Sequence, residues 1–225
     1  MGQFINLEGG DGSGKKTQTE LLVKYARELG LTVGTESYPR YSEPVAEPIS
    51  RFLNGRYGNP HPELAGLPYS IDRLLGSAAI QEIIAQENSI FITDRFTSSN
   101  LGHNGAKFDT PEKRQEYFEF VRNFEHEVLG IPKPDLNIIL LVPPEVSQQN
   151  IDKKAARNYT DKKRDMHEAD VQHLAKAYES YLALATAYPH EYALVDSMAT
   201  PDRMRSIDDI QQELRGVVRN LLGIS

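Results

Sequence analysis

The run Gly9-Gly10-Asp11-Gly12-Ser13-Gly14-Lys15 constrains this chain more than any other stretch, because it fits G-x-x-x-x-G-K. It follows a short apolar strand, Phe4–Leu7, and precedes an amphipathic helix, Thr17 to Leu29. Glycines let the backbone wrap a polyphosphate with its N–H groups turned inward. A helix N-terminus adds partial positive charge there, and Lys15 adds a full one. The order strand, loop, lysine, helix therefore predicts a phosphate-binding loop (P-loop) over Gly9–Thr17, formed by Gly9, Gly10, Asp11, Gly12, Ser13, Gly14, Lys15, Lys16 and Thr17. The competing reading is a glycine-rich hairpin turn. A dinucleotide fingerprint is not matched, since Gly10, Gly12 and Gly14 do not give G-x-G-x-x-G.

One position departs from the motif. The loop lysine is usually followed by Ser or Thr, whose hydroxyl holds Mg²⁺. Here Lys16 follows, and an ammonium cannot ligate a cation. Thr17 comes next, but one residue along a helix is a turn of roughly 100°. Two expectations stand: Mg²⁺ is held by carboxylates and phosphates alone, or Lys16 partly replaces its charge.

A length of 225 residues suits one α/β domain with a substantial core. The formal charge of −7 argues against general nucleic-acid binding and requires a local basic cluster to draw in an anionic substrate. With no cysteine, disulfides and thiolate metal sites are excluded, which fits a reducing, cytoplasmic setting. No signal peptide is expected, and the longest apolar run, Ile138 to Val142, is far too short to span a membrane.

Strands and helices alternate, the pattern of a parallel sheet covered on both faces. The spacing predicts strands at Phe4–Leu7, Thr32–Ser37, Ser89–Asp94, Leu136–Val142 and Tyr192–Asp196. It predicts helices at Lys15–Leu29, Val45–Leu53, Pro62–Gln86, Pro111–Leu129, Pro144–Ala155, Glu168–Ala187 and Ser206–Leu222. No repeat or linker divides the chain, so residues 1–225 are expected to form one domain. Ligands of such sheets sit beyond the carboxyl ends of the strands, where the remaining motifs fall.

The second strand ends in Tyr38-Pro39-Arg40-Tyr41, placing Arg40 where its planar fork could grip a phosphate, or else form a surface ion pair. The third strand delivers Asp94-Arg95-Phe96, a way to set a carboxylate near Mg²⁺ and an arginine near phosphate. Asp94 reads equally as a helix N-cap. Tyr117, Phe118, Phe120 and Phe124 recur at helical spacing and are expected in the core or at a subunit interface.

Together these motifs resemble the thymidylate kinases over nearly the whole chain. The resemblance rests on Glu8-Gly9-Gly10-Asp11-Gly12, Tyr38-Pro39-Arg40-Tyr41, Tyr69-Ser70-Ile71-Asp72-Arg73, Asp94-Arg95-Phe96 and a basic segment, in this order and spacing. It implies a P-loop NTPase fold, with a central parallel five-stranded sheet flanked by helices and a basic lid. It implies in-line transfer of the γ-phosphoryl group of ATP to dTMP with Mg²⁺, in a homodimer. It places Asp11 near the sugar 3′-hydroxyl and the Mg²⁺ shell, and Arg40, Tyr41 and Arg95 around the monophosphate. Tyr69 would stack on the thymine, Arg73 would bond a base carbonyl and Asn100 the base edge. His103 lies where relatives carry a tyrosine beside the deoxyribose 2′ carbon; it reads equally as a packing histidine.

From Lys153 to Arg164 the chain holds six basic residues and one acid. A solvated face or a nucleic-acid patch would account for such a run; its position favours the family's lid, over about residues 152–168. Some members carry an arginine inside the phosphate loop. Here Gly12 and Ser13 stand there, so Arg157 or Arg164 of the lid is expected to supply the cation. Asp165 and Glu168, with Asp11 and Asp94, are candidates for the Mg²⁺ shell. Lys15, Asp11, Arg95, Arg157 and Arg164 are thus the catalytic candidates. The alternatives are a kinase for another nucleotide or a deoxynucleoside, and a nucleotide-binding regulator without turnover, which only Lys16 supports.

Overall fold

A computed structural model describes residues 1–152 and 171–224, and the basic segment with Arg157, Arg164, Asp165 and Glu168 lies outside them. Strands β1 (Gln3–Gly9), β2 (Thr32–Ser37), β3 (Ser89–Asp94), β4 (Leu136–Leu141) and β5 (Tyr192–Asp196) form one sheet in the order β2-β3-β1-β4-β5. Every pairing is parallel. The helices are α1 (Lys15–Glu28), α2 (Glu47–Leu53), α3 (Pro62–Ile84), α4 (Thr97–Gly105), α5 (Pro111–Arg122), α6 (Pro144–Asp152), α7 (Val171–Ala187) and α8 (Ile207–Leu222).

Alternation along the strands builds two cores. Ile5, Leu7, Ile90, Ile92, Ile138 and Leu140 face α1 and α8, meeting Leu22, Ala26, Leu214 and Val218. On the other face Phe4 and Phe91 meet Ile80 of α3, and Ile139 meets residues of α4, α5 and α7. A buried polar ladder crosses that sheet. Asn6 donates to Asn137 Oδ1 at 2.9 Å and accepts from Thr93 Oγ1 at 3.2 Å. These residues are register partners across β3-β1-β4, so a slip of one residue would leave buried amides unpaired.

Some elements differ from expectation. Helix α4 was not anticipated: its sequence, Thr-Ser-Ser-Asn-Leu-Gly-His-Asn-Gly, holds poor helix formers, and burial of most of its residues overrides that propensity. The helix expected over Val45–Leu53 is a 3₁₀ turn, Pro44–Ala46, followed by α2. That expected over Pro111–Leu129 is α5 continued by a π-helical segment, Asn123–Val128. A small antiparallel hairpin, β6 (Met198–Thr200) with β7 (Arg203–Met204), follows β5.

Candidate active site

The loop between β1 and α1 is clasped from the β4 side. A Cβ on Gly9 (φ +144°) would stand 2.5 Å from the Leu140 carbonyl oxygen, and one on Gly12 (φ +82°) 2.5 Å from that of Ser147. Only glycine fits these close approaches. Ser147 Oγ donates to the Asp11 carbonyl at 2.6 Å and Asn150 Nδ2 to that of Gly12 at 3.1 Å, so α6 braces the loop. Helix α1 has no side-chain cap and no acid in its first turn, which leaves its N-terminal N–H groups to an anion.

Lys15 is buried and lies back on its own loop. Its Nζ donates to the carbonyls of Gly9 and Gly10, both at 2.8 Å. Burial first, then the Arg95 charge, lowers its pKa to about 8, against the opposing carboxylates of Asp11, Asp94 and Glu8. Lys16 and Thr17 are exposed, and both border the cavity described below. The turn of one residue therefore does not take Thr17 off the wall.

Arg95 sits at φ +70°, a left-handed conformation that non-glycine residues seldom adopt. It swings the chain from β3 into α4 and points the guanidinium back over β1. Nη2 pairs with Asp11 at 2.5 Å, and Nη1 lies 3.3 Å from Glu8, 3.2 Å from Ser99 Oγ and 3.3 Å from His103 Nε2. Burial opposes its charge, but Asp11 and Glu8 outweigh burial and raise its pKa well above the ordinary value. Glu8, fully buried, also accepts from Ser99 Oγ at 2.8 Å and from the Tyr181 hydroxyl of α7 at 3.0 Å. Burial and the Glu8 charge hold the proton on Tyr181. Asp94 borders the same cavity, and its Oδ1 is buried without a hydrogen bond among the described residues. Asp94 does not cap α4; Phe96 holds that position without a side-chain bond.

Asp11, Lys15, Lys16, Thr17 and Arg95 share one cavity of about 550 Å³ with Tyr41, Tyr69, Arg73, Asn100 and His103. That volume suits a small-molecule site. Residues expected at the phosphate end and at the base end thus meet in one space. Arg40 differs. Its Nε donates to Asp72 Oδ1 at 2.8 Å and its Nη2 to the Asp72 carbonyl at 3.0 Å, and it is not among the lining residues. The ion-pair reading of Arg40 describes what the fold does with it, with a buried partner in place of a surface one. His103 both lines the cavity and packs, stacked on His173 with ring centroids 5.7 Å apart and edge-on to Tyr181.

Arg73 is 2 % exposed and forms a bidentate pair with Glu125, which is wholly buried. Burial alone would raise the Glu125 carboxyl; Arg73 and the hydroxyls of Thr97 and Ser70 outweigh it and hold it below the usual range. Glu8, Asp72, Glu125, Ser147, Asn150 and Tyr181 were not assigned roles from sequence. Glu8 and Asp72 stand inside quoted motifs; Glu125 carries no local signal, sitting in an aromatic-rich helical pattern.

The family model described as thymidylate kinase matches residues 7–206, which spans the loop, the cavity and the basic segment. The chain belongs to the thymidylate kinase family. Among curated thymidylate kinases it is 31% identical to that of Neisseria meningitidis serogroup B over 211 residues, 91% of this chain and 93% of the relative. It is 29% identical to that of Symbiobacterium thermophilum, over 99% of this chain and 95% of the relative. The Mycobacterium tuberculosis thymidylate kinase is 28% identical over 89% of this chain and 94% of its own length. A solved thymidylate kinase from Candida albicans shares the fold, with a TM-score of 0.70, 23% identity, and coverage of 97% and 92% of the two chains. The chain thus covers more than nine-tenths of each of these relatives, and its five-stranded parallel sheet is that of a P-loop NTPase.

Proposed function

We propose that this thymidylate kinase family member transfers the γ-phosphoryl group of ATP to dTMP, as a single nucleoside monophosphate kinase domain. The observation that carries this is the shared cavity, lined by the phosphate loop and Arg95 and also by Tyr69, Arg73 and Asn100. Donor and acceptor phosphates would meet between Lys15 and Arg95. Phosphoryl transfer needs positioning and charge stabilisation more than covalent help. The acceptor is already an anion, so no strong general base is required. Lys15 would exchange the two loop carbonyls for donor phosphate oxygens. Arg95, held by Asp11 and Glu8, is the preset cation for the monophosphate. Arg157 or Arg164 of the lid would close the charge from the other side, and Asp165 and Glu168 belong to the same segment.

Asp94 and Asp11 are the carboxylates suited to Mg²⁺, Asp94 through its unbonded buried oxygen. Mg²⁺ in such sites takes one or two carboxylates and otherwise phosphates and water. When bound, the ion would neutralise charge on the donor phosphate oxygens. A homodimer in the cytoplasm completes the proposal. An exposed apolar stripe on α3, Leu64, Ile71, Leu74 and Leu75, with Phe120 nearby in sequence to the π-helical segment that packs on α3, supports the dimer. Among the described residues no helix is long and apolar enough to cross a membrane.

A coupled ADP-release assay with ATP and Mg²⁺, offering dTMP, dUMP, UMP, dGMP and thymidine separately, tests the proposal. Preferred turnover of dTMP is expected. Turnover of another acceptor alone would overturn the base assignments while leaving the loop chemistry intact. The thymine methyl by itself should give only ~1–3 kcal/mol of preference over dUMP.

A further inference from the structure

Glu125 is fully buried and gathers hydrogen bonds from two cavity-lining helices, α3 and α4. Oε1 accepts from Ser70 Oγ at 2.8 Å, Arg73 Nη2 at 2.5 Å and Asn100 Nδ2 at 3.1 Å. Oε2 accepts from Arg73 Nε at 2.8 Å and Thr97 Oγ1 at 2.6 Å. An ionised carboxylate can only accept, so each atom facing it must be a donor. This fixes the Asn100 amide: its NH₂ is the side against Glu125 and the Gly66 carbonyl (3.3 Å), and Oδ1 is the other. It also engages the Nε–H of Arg73 and one of the two N–H groups on Nη2. Arg73 Nη1 keeps one weak bond, to the Phe96 carbonyl at 3.4 Å, and Asn100 Oδ1 keeps one, from Asn104 Nδ2 at 3.3 Å. Both residues line the cavity. What they have left to offer it is N–H of the Arg73 Nη groups, donors only, and a lone pair of Asn100 Oδ1.

We propose that Glu125 is a positioning residue that sets the polarity of this wall, fixing the place of Arg73, always a donor, and turning Asn100 to present its acceptor. The wall then takes a base edge with a carbonyl beside a ring N–H and refuses the edge with those roles reversed. The inference rests on the functional reading above, because it assumes that a nucleobase meets this wall. Thymine presents the accepted edge, C4=O beside N3–H. 5-Methylcytosine differs from thymine only there, with an amino group beside an unprotonated ring nitrogen, and both of its groups would face like groups. A site that buries fixed donors and acceptors rejects mismatched partners far more strongly than an apolar pocket rejects a missing methyl. The π-helical segment that carries Glu125 is the kind of local departure that recurs at functional sites.

The test is the ratio of kcat/KM for dTMP to that for 5-methyl-dCMP, in the full-length enzyme and in E125Q and T97V. Where turnover of 5-methyl-dCMP falls below detection, its inhibition constant against dTMP replaces it. In E125Q the glutamine supplies a donor of its own, the Asn100 amide is free to turn, and the ratio should fall by about ten- to a hundredfold. The fall should come through a higher KM for dTMP, with KM for ATP unchanged. T97V, which removes one bond to Oε2, should move the ratio in the same direction by less. A folded E125Q that loses rate equally on both acceptors would reduce Glu125 to a structural ion pair and overturn the proposal. If E125Q does not fold, an unchanged ratio in T97V overturns it. Failure of the underlying reading is distinguishable, since the unmodified enzyme would then not turn over dTMP at all.

Discussion

Lys15 carries a conditional charge. Its ordinary pKa of 10.5 falls to about 8 in the folded chain, so between those values the unfolded chain binds the extra proton. Its contribution therefore makes folding stability rise with pH from about 8 to about 10.5, the reverse of a lysine that gains a partner. Bound phosphates would pull the pKa back up. Nucleotide binding just above pH 8 should thus take up a proton, and affinity should fall as pH rises through that region. Calorimetry at such a pH in two buffers of different ionisation enthalpy checks this; no proton uptake would contradict it. Lys15→Ala should keep the fold and lose turnover by at least ~10²-fold, measured by ADP release with thermal melting as control. Lys15, Arg95 and Asp11 were legible in the sequence because each stands in a motif tied to a strand end. The partners of Arg40 and Arg73 were not. Arg40 pairs with Asp72 and Arg73 with Glu125, and a pairing across 52 residues leaves no trace in spacing.

At the scale of elements, α4 and α7 meet at Gly102, where an added Cβ would run into the Tyr181 ring. Gly102→Ala gains up to ~1 kcal/mol of helix propensity but forces α7 outward. Overpacking of this kind costs about 1–3 kcal/mol, so net destabilisation is expected by denaturant titration. Tyr181 would also lose its bond to Glu8, and KM for dTMP should rise as Arg95 loosens. A variant as stable as the parent would contradict this packing. On the opposite side of the loop, Ser147→Ala removes the 2.6 Å bond to Asp11. About 1 kcal/mol and a Tm lower by about 2–4 °C are expected, with a raised KM for ATP. Apolar runs bounded by polar residues made β3 and β5 readable, and both fall on the expected residues, as does β2, which has no such run. Helix α4 escaped because tertiary burial, not propensity, makes it helical, and the β6–β7 hairpin is too short to show a period.

The whole molecule brings a phosphate loop and a base pocket into one cavity because all the strands of its sheet point the same way. Their carboxyl ends gather Gly9, Ser37, Asp94 and Leu141 along one edge, and the phosphate loop and Arg95 follow directly from it. The outer face of α3 leaves Leu64, Ile71 and Leu75 exposed at helical spacing. Leu75→Glu should shift a dimer toward monomer in light scattering coupled to size exclusion; a monomeric parent protein would contradict the proposed dimer. The central claim, direct transfer within the shared cavity, is tested by following the label of γ-³²P-ATP with and without dTMP. Label should move to dTDP only when dTMP is present. Label appearing as inorganic phosphate at the same rate with or without dTMP, or remaining in ATP throughout, would contradict it.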